Sequence, residues 1–261
     1  NSGETAGNGL DDDGNGYIDD LHGYDFAYLD GDPDDVFGHG TACAGIVAAV
    51  QDNALGVTGV APYCELVGLK ASIDSGYLYD SAVVPALLYT ADMGFQVASM
   101  SFFGDQVTAA QKDAIDYCWA SGVVLVASAG NSSQTYPYYP AAFEHTLAVG
   151  ASEYGDNKSW FSNHGSWVDV TAPGEGIWTT VPYSSYTSSF AGTSGSCPHV
   201  AGLAALLFSA DPSATNAEVR AAIEDGALLL NQPPYGTWTL YGRIDCENAV
   251  QRILGNLGGS V

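Results

Sequence analysis

Short apolar runs alternate with amphipathic stretches along most of this chain, and that alternation limits the possible fold more than any other feature. Residues 65–70 (ELVGLK), 96–100 (QVASM), 123–127 (VVLVA), 146–150 (TLAVG) and 167–170 (WVDV) are short and continuously apolar. They read as strands buried on both faces. Helical patterns cover 40–50, 79–93, 108–121, 197–209 and 211–228, with Thr215 or Asn216 as the cap before AEVRAAIED. Strand–helix–strand order predicts an α/β fold in three layers, a mostly parallel twisted sheet with helices on both faces. Residues 237–253 read as a short strand, a turn and a last helix. No repeat, low-complexity stretch or linker interrupts the 261 residues, which read as a single domain, 1–261.

Composition narrows the function classes. Apolar residues make up 46% and charged residues 14%, as in a folded globular protein. Six Lys+Arg against 30 Asp+Glu give a net charge of −24. Such a surface repels phosphate backbones and anionic lipid, so nucleic-acid and membrane-surface roles are excluded, whereas hard cations are welcome. No apolar run reaches the ~18 residues of a membrane span. The opening NSGETAGNGLDDD has neither a basic nor an apolar leader region, as a mature secreted chain would also show. The five cysteines (43, 64, 118, 197 and 246) are odd in number and lack CxxC spacing. Free thiols are the expectation, with one or two disulfides the lesser reading.

Three segments carry chemistry. His39 lies between Gly38 and Gly40 at a helix start. Ser194 lies in FAGTSGSCPHVAG, among small residues before a helix with Pro198 in its first turn. A helix N-terminus offers unpaired N–H groups and a positive dipole end, which favour an oxyanion. Asn131 follows the apolar strand in VASAGNS, so its amide lies at the carboxyl edge of the sheet, where open α/β folds bind ligands. Taken singly, these are equally well read as a turn histidine, helix caps and a turn asparagine.

Taken together, in the order His, Asn, Ser, they resemble the subtilisin-like serine proteases (subtilases). That family combines HGTxxAG, AGN and GTSxxxPHVAG motifs, and 38–45 (GHGTACAG), 129–131 (AGN) and 192–202 (GTSGSCPHVAG) are similar to them. Residues 59–62 (GVAP), 99–101 (SMS), 169–174 (DVTAPG) and 242–245 (GRID) agree, so the resemblance spans roughly residues 1–253. It implies a secreted endopeptidase acting on protein or peptide substrates. Ser194 would be the nucleophile, His39 the general base and Asn131 the oxyanion-hole amide. Ser101, Phe102, Phe103 and Gly104 would form one wall of the substrate cleft, and Ser128, Ala129 and Gly130 the other.

The chain departs from the family in one major respect. The family's catalytic aspartate ends a strand of the type VAVIDTG upstream of the histidine, and no such run precedes His39. The chain thus reads as beginning one strand late. The acid would come from a separate or cleaved N-terminal piece, or the enzyme would work as a Ser–His dyad, or the chain would be a non-catalytic homologue. Gly195 replaces the usual Met after the nucleophile. Phe103 stands where a glycine is usual, which predicts a narrowed pocket and smaller P1 residues. Cys43 resembles the free cysteine some members place beneath the histidine.

Calcium is the expected cofactor. In DDDGNGYIDD, Asp11, Asp13, Asn15 and the Tyr17 carbonyl fall at positions 1, 3, 5 and 7 of an EF-hand-like loop, with Gly16 at position 6. Position 12 is His22, so Asp19 or Asp20 would close the cage. Residues 51–57 (QDNALGV) resemble the family's calcium loop, implying ligands from Asn53 and the carbonyls of Leu55 and Val57. A peptide-binding or structural homologue without catalysis is the alternative function. Labelling of Ser194 by a fluorophosphonate separates the two.

Overall fold

A computed structural model describes residues 1–229 and 238–255. Its elements run β1 (Gly23–Asp25), α1 (His39–Ala48), β2 (Gly68–Lys70), α2 (Asp80–Asp92), β3 (Val97–Met100), α3 (Ala109–Ala120), β4 (Val124–Ser128) and β5 (Thr146–Ser152). They continue with β6 (Val170–Pro173), β7 (Ile177–Val181), β8 (Ser185–Phe190), α4 (Thr193–Ala210), α5 (Asn216–Gly226), β9 (Gly242–Arg243) and α6 (Cys246–Ile253). Residue 237, where the last strand-turn-helix was expected to begin, lies outside the described residues.

The expected three-layer α/β architecture is present. Strands β3, β4, β5, β6 and β9 form a parallel five-stranded sheet in that order. Period-two alternation sends Val124 and Val126 to one face, where they pack with Leu203 and Leu207 of α4 and Ile223 of α5. Leu125 and Ala127 point to the other face, against Leu87 of α2 and Ile115 of α3. Both faces are therefore apolar, which explains the unbroken hydrophobic runs.

Several boundaries differ from the sequence reading. The run at 65–70 is strand only at Gly68–Lys70, and the run at 167–170 gives way to Val170–Pro173. Helix α4 starts at Thr193 rather than 197, so Pro198 is its sixth residue and offers no N–H to the Ser194 carbonyl, which accepts from Ser101 Oγ instead. The second strand of the antiparallel β7–β8 hairpin had no apolar signal; β8 reads SYTSSF and is largely exposed.

The sheet is interrupted. Among the described residues, strand β2 pairs only with β1, in parallel, and β3 pairs only with β4. Between the facing edges of β2 and β3 lies a cavity of about 1440 Å³. Residues 66–71 line one side and 96–103 the other, with Ala86 of α2 and Ala201 of α4 among the covering residues. His39 and Ser194 both border it.

Candidate active site

The site is built where helices α1 and α4 begin. Gly192 is the N-cap of α4 with φ 125°, and Ser194 falls in the first turn. Its backbone N–H is thus one of the helix amides without an intrahelical acceptor. Gly192 is required twice over, since a side chain there would be strained and its Cβ would approach Asn131 Nδ2 to 3.2 Å.

Asn131 is held from behind. Its Oδ1 accepts from the Thr193 N–H at 2.9 Å and from Thr193 Oγ1 at 2.9 Å. A backbone N–H can only donate, so these bonds fix the amide orientation. Among the described residues Nδ2 donates to no protein acceptor and is free to donate beside the first turn of α4. Thr193 Oγ1 also accepts from the Gly130 N–H at 3.1 Å, tying the end of β4 to the helix.

His39 is the first residue of α1, after Gly38 with φ 89°. Asp35 braces that helix start, accepting from the Gly38 N–H at 2.7 Å, the Thr41 N–H at 2.6 Å and Thr41 Oγ1 at 2.8 Å. Thr179 Oγ1 and Thr180 Oγ1 of β7 donate to the Ala42 and Thr41 carbonyls at 2.6 and 2.8 Å. The imidazole packs edge-on against Phe190 with centroids 5.7 Å apart. Burial pushes its pKa below the ordinary 6.5, while the Asp35 carboxylate pulls the other way.

The two reactive groups meet at Cys43, one turn after His39. Its Sγ lies 3.8 Å from His39 Nδ1 and 3.4 Å from the Ser194 carbonyl oxygen. The Ser194 hydroxyl donates to the Ser101 carbonyl at 3.1 Å, and Ser101 Oγ donates to the Ser194 carbonyl at 3.1 Å. Among the described residues no hydrogen bond joins Ser194 Oγ to His39. Burial drives the Cys43 thiol up to about 12, so it is not a nucleophile at neutral pH.

The residues expected to wall the cleft lie at or just after the ends of β3 and β4. Ser101, Phe102 and Phe103 leave the sheet after β3, and the Phe103 ring stands edge-on to Tyr138 at 5.6 Å. Gly104 exchanges two backbone hydrogen bonds with Tyr139, at 2.8 and 2.9 Å, which occupies its N–H and carbonyl. Ser128 is fully buried and its Oγ donates to the Phe102 carbonyl at 3.4 Å. Ala129 and Gly130 are braced by Asn163, a residue with no sequence signal. Its Nδ2 donates to the Ala129 carbonyl at 2.8 Å, its N–H to the Gly130 carbonyl at 2.9 Å, and its Oδ1 accepts from the Ser132 and Gln134 N–H groups. Thr193, by contrast, was in view inside the GTS motif.

The acidic loop takes a shape different from the expected cage. Asp11 turns onto the N–H groups of Gly14, Asn15 and Gly16. Asp19 accepts from the N–H groups of Asn8 and Gly9. Asn15 Oδ1 accepts from the Tyr17 N–H at 2.8 Å. Local amide acceptance thus competes with ligation, as it often does for Asp and Asn. Of the expected carboxylates, the fold brings Asp13 and Asp20 together among the described residues and adds Glu4, with the Asn15 amide beside both aspartates. In the second loop Asn53 Oδ1 accepts from the Leu55 N–H at 2.9 Å, and Asn53 and Leu55 are exposed. All five cysteines are free, with Cys118 and Cys197 buried.

Comparison with known proteins agrees with this architecture. The pattern of the Subtilase family (Peptidase_S8) matches residues 5–256. The chain is 43% identical over 229 residues to thermitase of Thermoactinomyces vulgaris, covering 88% of this chain and 80% of that protein. It is 42% identical over 230 residues to a thermophilic serine proteinase of Bacillus sp. (strain AK1), but spans only 56% of that protein's length. Subtilisin DY of Bacillus licheniformis is 40% identical over 220 residues, with 82% and 78% covered. By this match and these relatives, the chain belongs to the subtilase family and is of the subtilisin-type serine endopeptidase class.

Proposed function

We propose that this chain is a secreted serine endopeptidase that cleaves protein or peptide substrates through an acyl-enzyme on Ser194. The observation that carries the reading is the fixed amide of Asn131. Thr193 holds its oxygen, which leaves Nδ2 and the Ser194 N–H as two donors at one helix start. Two such donors favour the charge that develops on a carbonyl oxygen under attack. In the proposed step His39 Nε2 takes the Ser194 hydroxyl proton as Oγ bonds to the carbonyl carbon. The C–N bond then breaks and the same proton passes to the leaving amine. Water repeats the sequence and releases the acid.

The Ser194 hydroxyl must swing from the Ser101 carbonyl toward His39, a rotation about χ1. Among the described residues His39 Nδ1 faces the Cys43 thiol rather than a carboxylate, and the cavity between β2 and β3 has room for an acid that would orient it. Two unpaired parallel edges face each other across an apolar slot beside His39, and an extended segment ending in a carboxylate would pair with both. Such a segment, cleaved from this protein or supplied with it, is the proposed partner. The strong negative charge suits an extracellular protein kept soluble in salt and stabilised by calcium, whose preference for hard oxygen donors fits the 11–20 loop. Calcium there would brace structure and take no part in the proton transfers.

The second reading is a peptide-binding homologue without turnover, favoured by the Ser194–Ser101 hydrogen bond that competes with His39. A fluorophosphonate probe decides between them. Labelling that disappears in Ser194→Ala supports the peptidase, and no labelling at any pH supports the binding module.

A further inference from the structure

The six carboxylates of the N-terminal loop divide into two groups of three, one scattered over local amides and the other drawn together, although Asp13 Oδ1 also accepts from the Asn15 N–H at 3.0 Å. Asp11 and Asp19 accept from backbone N–H groups, and Asp12 accepts from the Thr5 N–H and Asn8 Nδ2. Glu4, Asp13 and Asp20 instead each bring a carboxylate oxygen within 4.8 Å of the other two. Glu4 is 8% exposed and Asp20 0%. Like charges so close and so dry repel strongly unless something neutralises them. No Lys or Arg occurs before Lys70, and Lys70 is paired with Asp25 at 2.6 Å.

Glu4 supplies the second, independent observation. Its Oε1 accepts from the Asp12 and Asp13 N–H groups at 2.9 and 3.2 Å. Its Oε2 is sealed from solvent and has no hydrogen-bond partner. A buried carboxylate oxygen is seldom left unsatisfied, and one that belongs to such a trio points to a cation. The surrounding donors are neutral. Asn1 Nδ2 bridges Asp13 and Asp20 at 2.9 and 2.8 Å, Asn15 Nδ2 reaches Asp20 at 2.9 Å and Asp13 at 3.4 Å, and Tyr89 Oη donates to Asp20 at 2.5 Å.

We infer that Glu4, Asp13 and Asp20 form a structural divalent-cation site, with calcium as the ion their hard oxygens select and Glu4 as a ligand outside the EF-hand-like spacing. The inference rests on the calcium reading for its metal and replaces that reading's ligand set. Its structural consequence is a clamp. The cation would tie residue 4 to the loop and, through Asp20 and Tyr89, to α2 and the aromatic cluster of Tyr17, Tyr24 and Phe26 beneath β1.

Terbium, a lanthanide stand-in for calcium, tests the site, because the Tyr89 ring beside Asp20 and the Tyr17 ring packed on it can sensitise its emission. The metal-stripped protein carrying Ser194→Ala, which prevents self-digestion, is titrated with terbium and then with calcium. Sensitised emission that calcium competes away is expected, and Glu4→Gln should weaken terbium binding on the order of 10-fold or more. Glu4→Gln should also lower Tm in saturating calcium yet raise it in chelator, where losing one of three clustered charges relieves repulsion. Unchanged terbium affinity in Glu4→Gln overturns the Glu4 site while leaving calcium in the loop, and weakening by Asp11→Asn would then support the spacing-based cage. No terbium emission and no calcium-dependent Tm in the parent protein overturn both. If Glu4→Gln does not fold, Asp13→Asn on the exposed side of the trio takes its place, and wild-type affinity there equally ends the proposal.

Discussion

The two parallel sheets are held by opposite means. The five-stranded sheet is covered on both faces, and β4 and β5 are buried at every residue. The β1–β2 pair has only three residues per strand and rests on a small aromatic cluster, with β2 half-buried throughout. The catalytic candidates are divided between these regions. Asn131 and Ser194 belong to the large sheet and its helix α4, while His39 stands on α1 at the seam, braced by β7 and Asp35. The difference teaches that, in the proposed mechanism, the electrophile-binding half of the site would be preorganised by the core, and the proton-accepting half would depend on what fills the slot between the sheets.

Filling the slot should have the largest effect. A synthetic peptide carrying a VAVIDTG-type run, added to the protein, should raise the fluorophosphonate labelling rate by up to ~10⁴, the scale on which a subtilisin loses kcat without its aspartate. The same peptide with Asn for Asp should raise Tm but not the rate. Labelling that ignores both peptides would break the division drawn here. Next comes Asn131→Ala, which should lower kcat by about 10²–10³ with KM and Tm nearly unchanged, the usual loss for one oxyanion donor. A kcat equal to that of the parent would remove Asn131 from the role.

A subtler contrast should appear in amide exchange. The Tyr24 and Leu69 amides of the small sheet should exchange on the order of 10-fold or more faster than those of Val126 and Leu147, because local opening exposes little apolar area there. Equal protection would mean one cooperative body. Adding the peptide should sharpen the result by slowing the β2 amides alone. The smallest effect concerns pH. In the proposed mechanism neutral imidazole would be the base, and burial lowers the His39 pKa, so the acidic limb of kcat/KM should fall below 6.5. Asp35→Asn removes the opposing charge and should move the limb further to acid. A shift toward neutral pH would contradict the assigned environment.

Much of this was legible in the primary order of residues. Continuous runs such as VVLVA mark strands covered on both faces, and the small residues of GHGTACAG and GTSGSCPHVAG mark helix starts where backbone must come close to a ligand. The hairpin of β7 and β8 was not legible, because SYTSSF has no apolar period to mark a strand even though it pairs with its sequence neighbour. Asn163 was not legible either. Its amide is informative only once folding places it against Ala129, Ser132 and Gln134.

The sequence by itself determined the family and the layer order and marked His39, Asn131 and Ser194 as candidates, since periodicity and motif spacing are local properties of the chain. Tertiary structure alone decided that Thr193 orients the Asn131 amide, that Cys43 also reaches the Ser194 carbonyl, and that Glu4 joins Asp13 and Asp20 while Asp11 does not. The physical reason is competition for partners. A carboxylate or amide can satisfy a neighbour in sequence or one brought near by the fold, and only packing settles which bond forms.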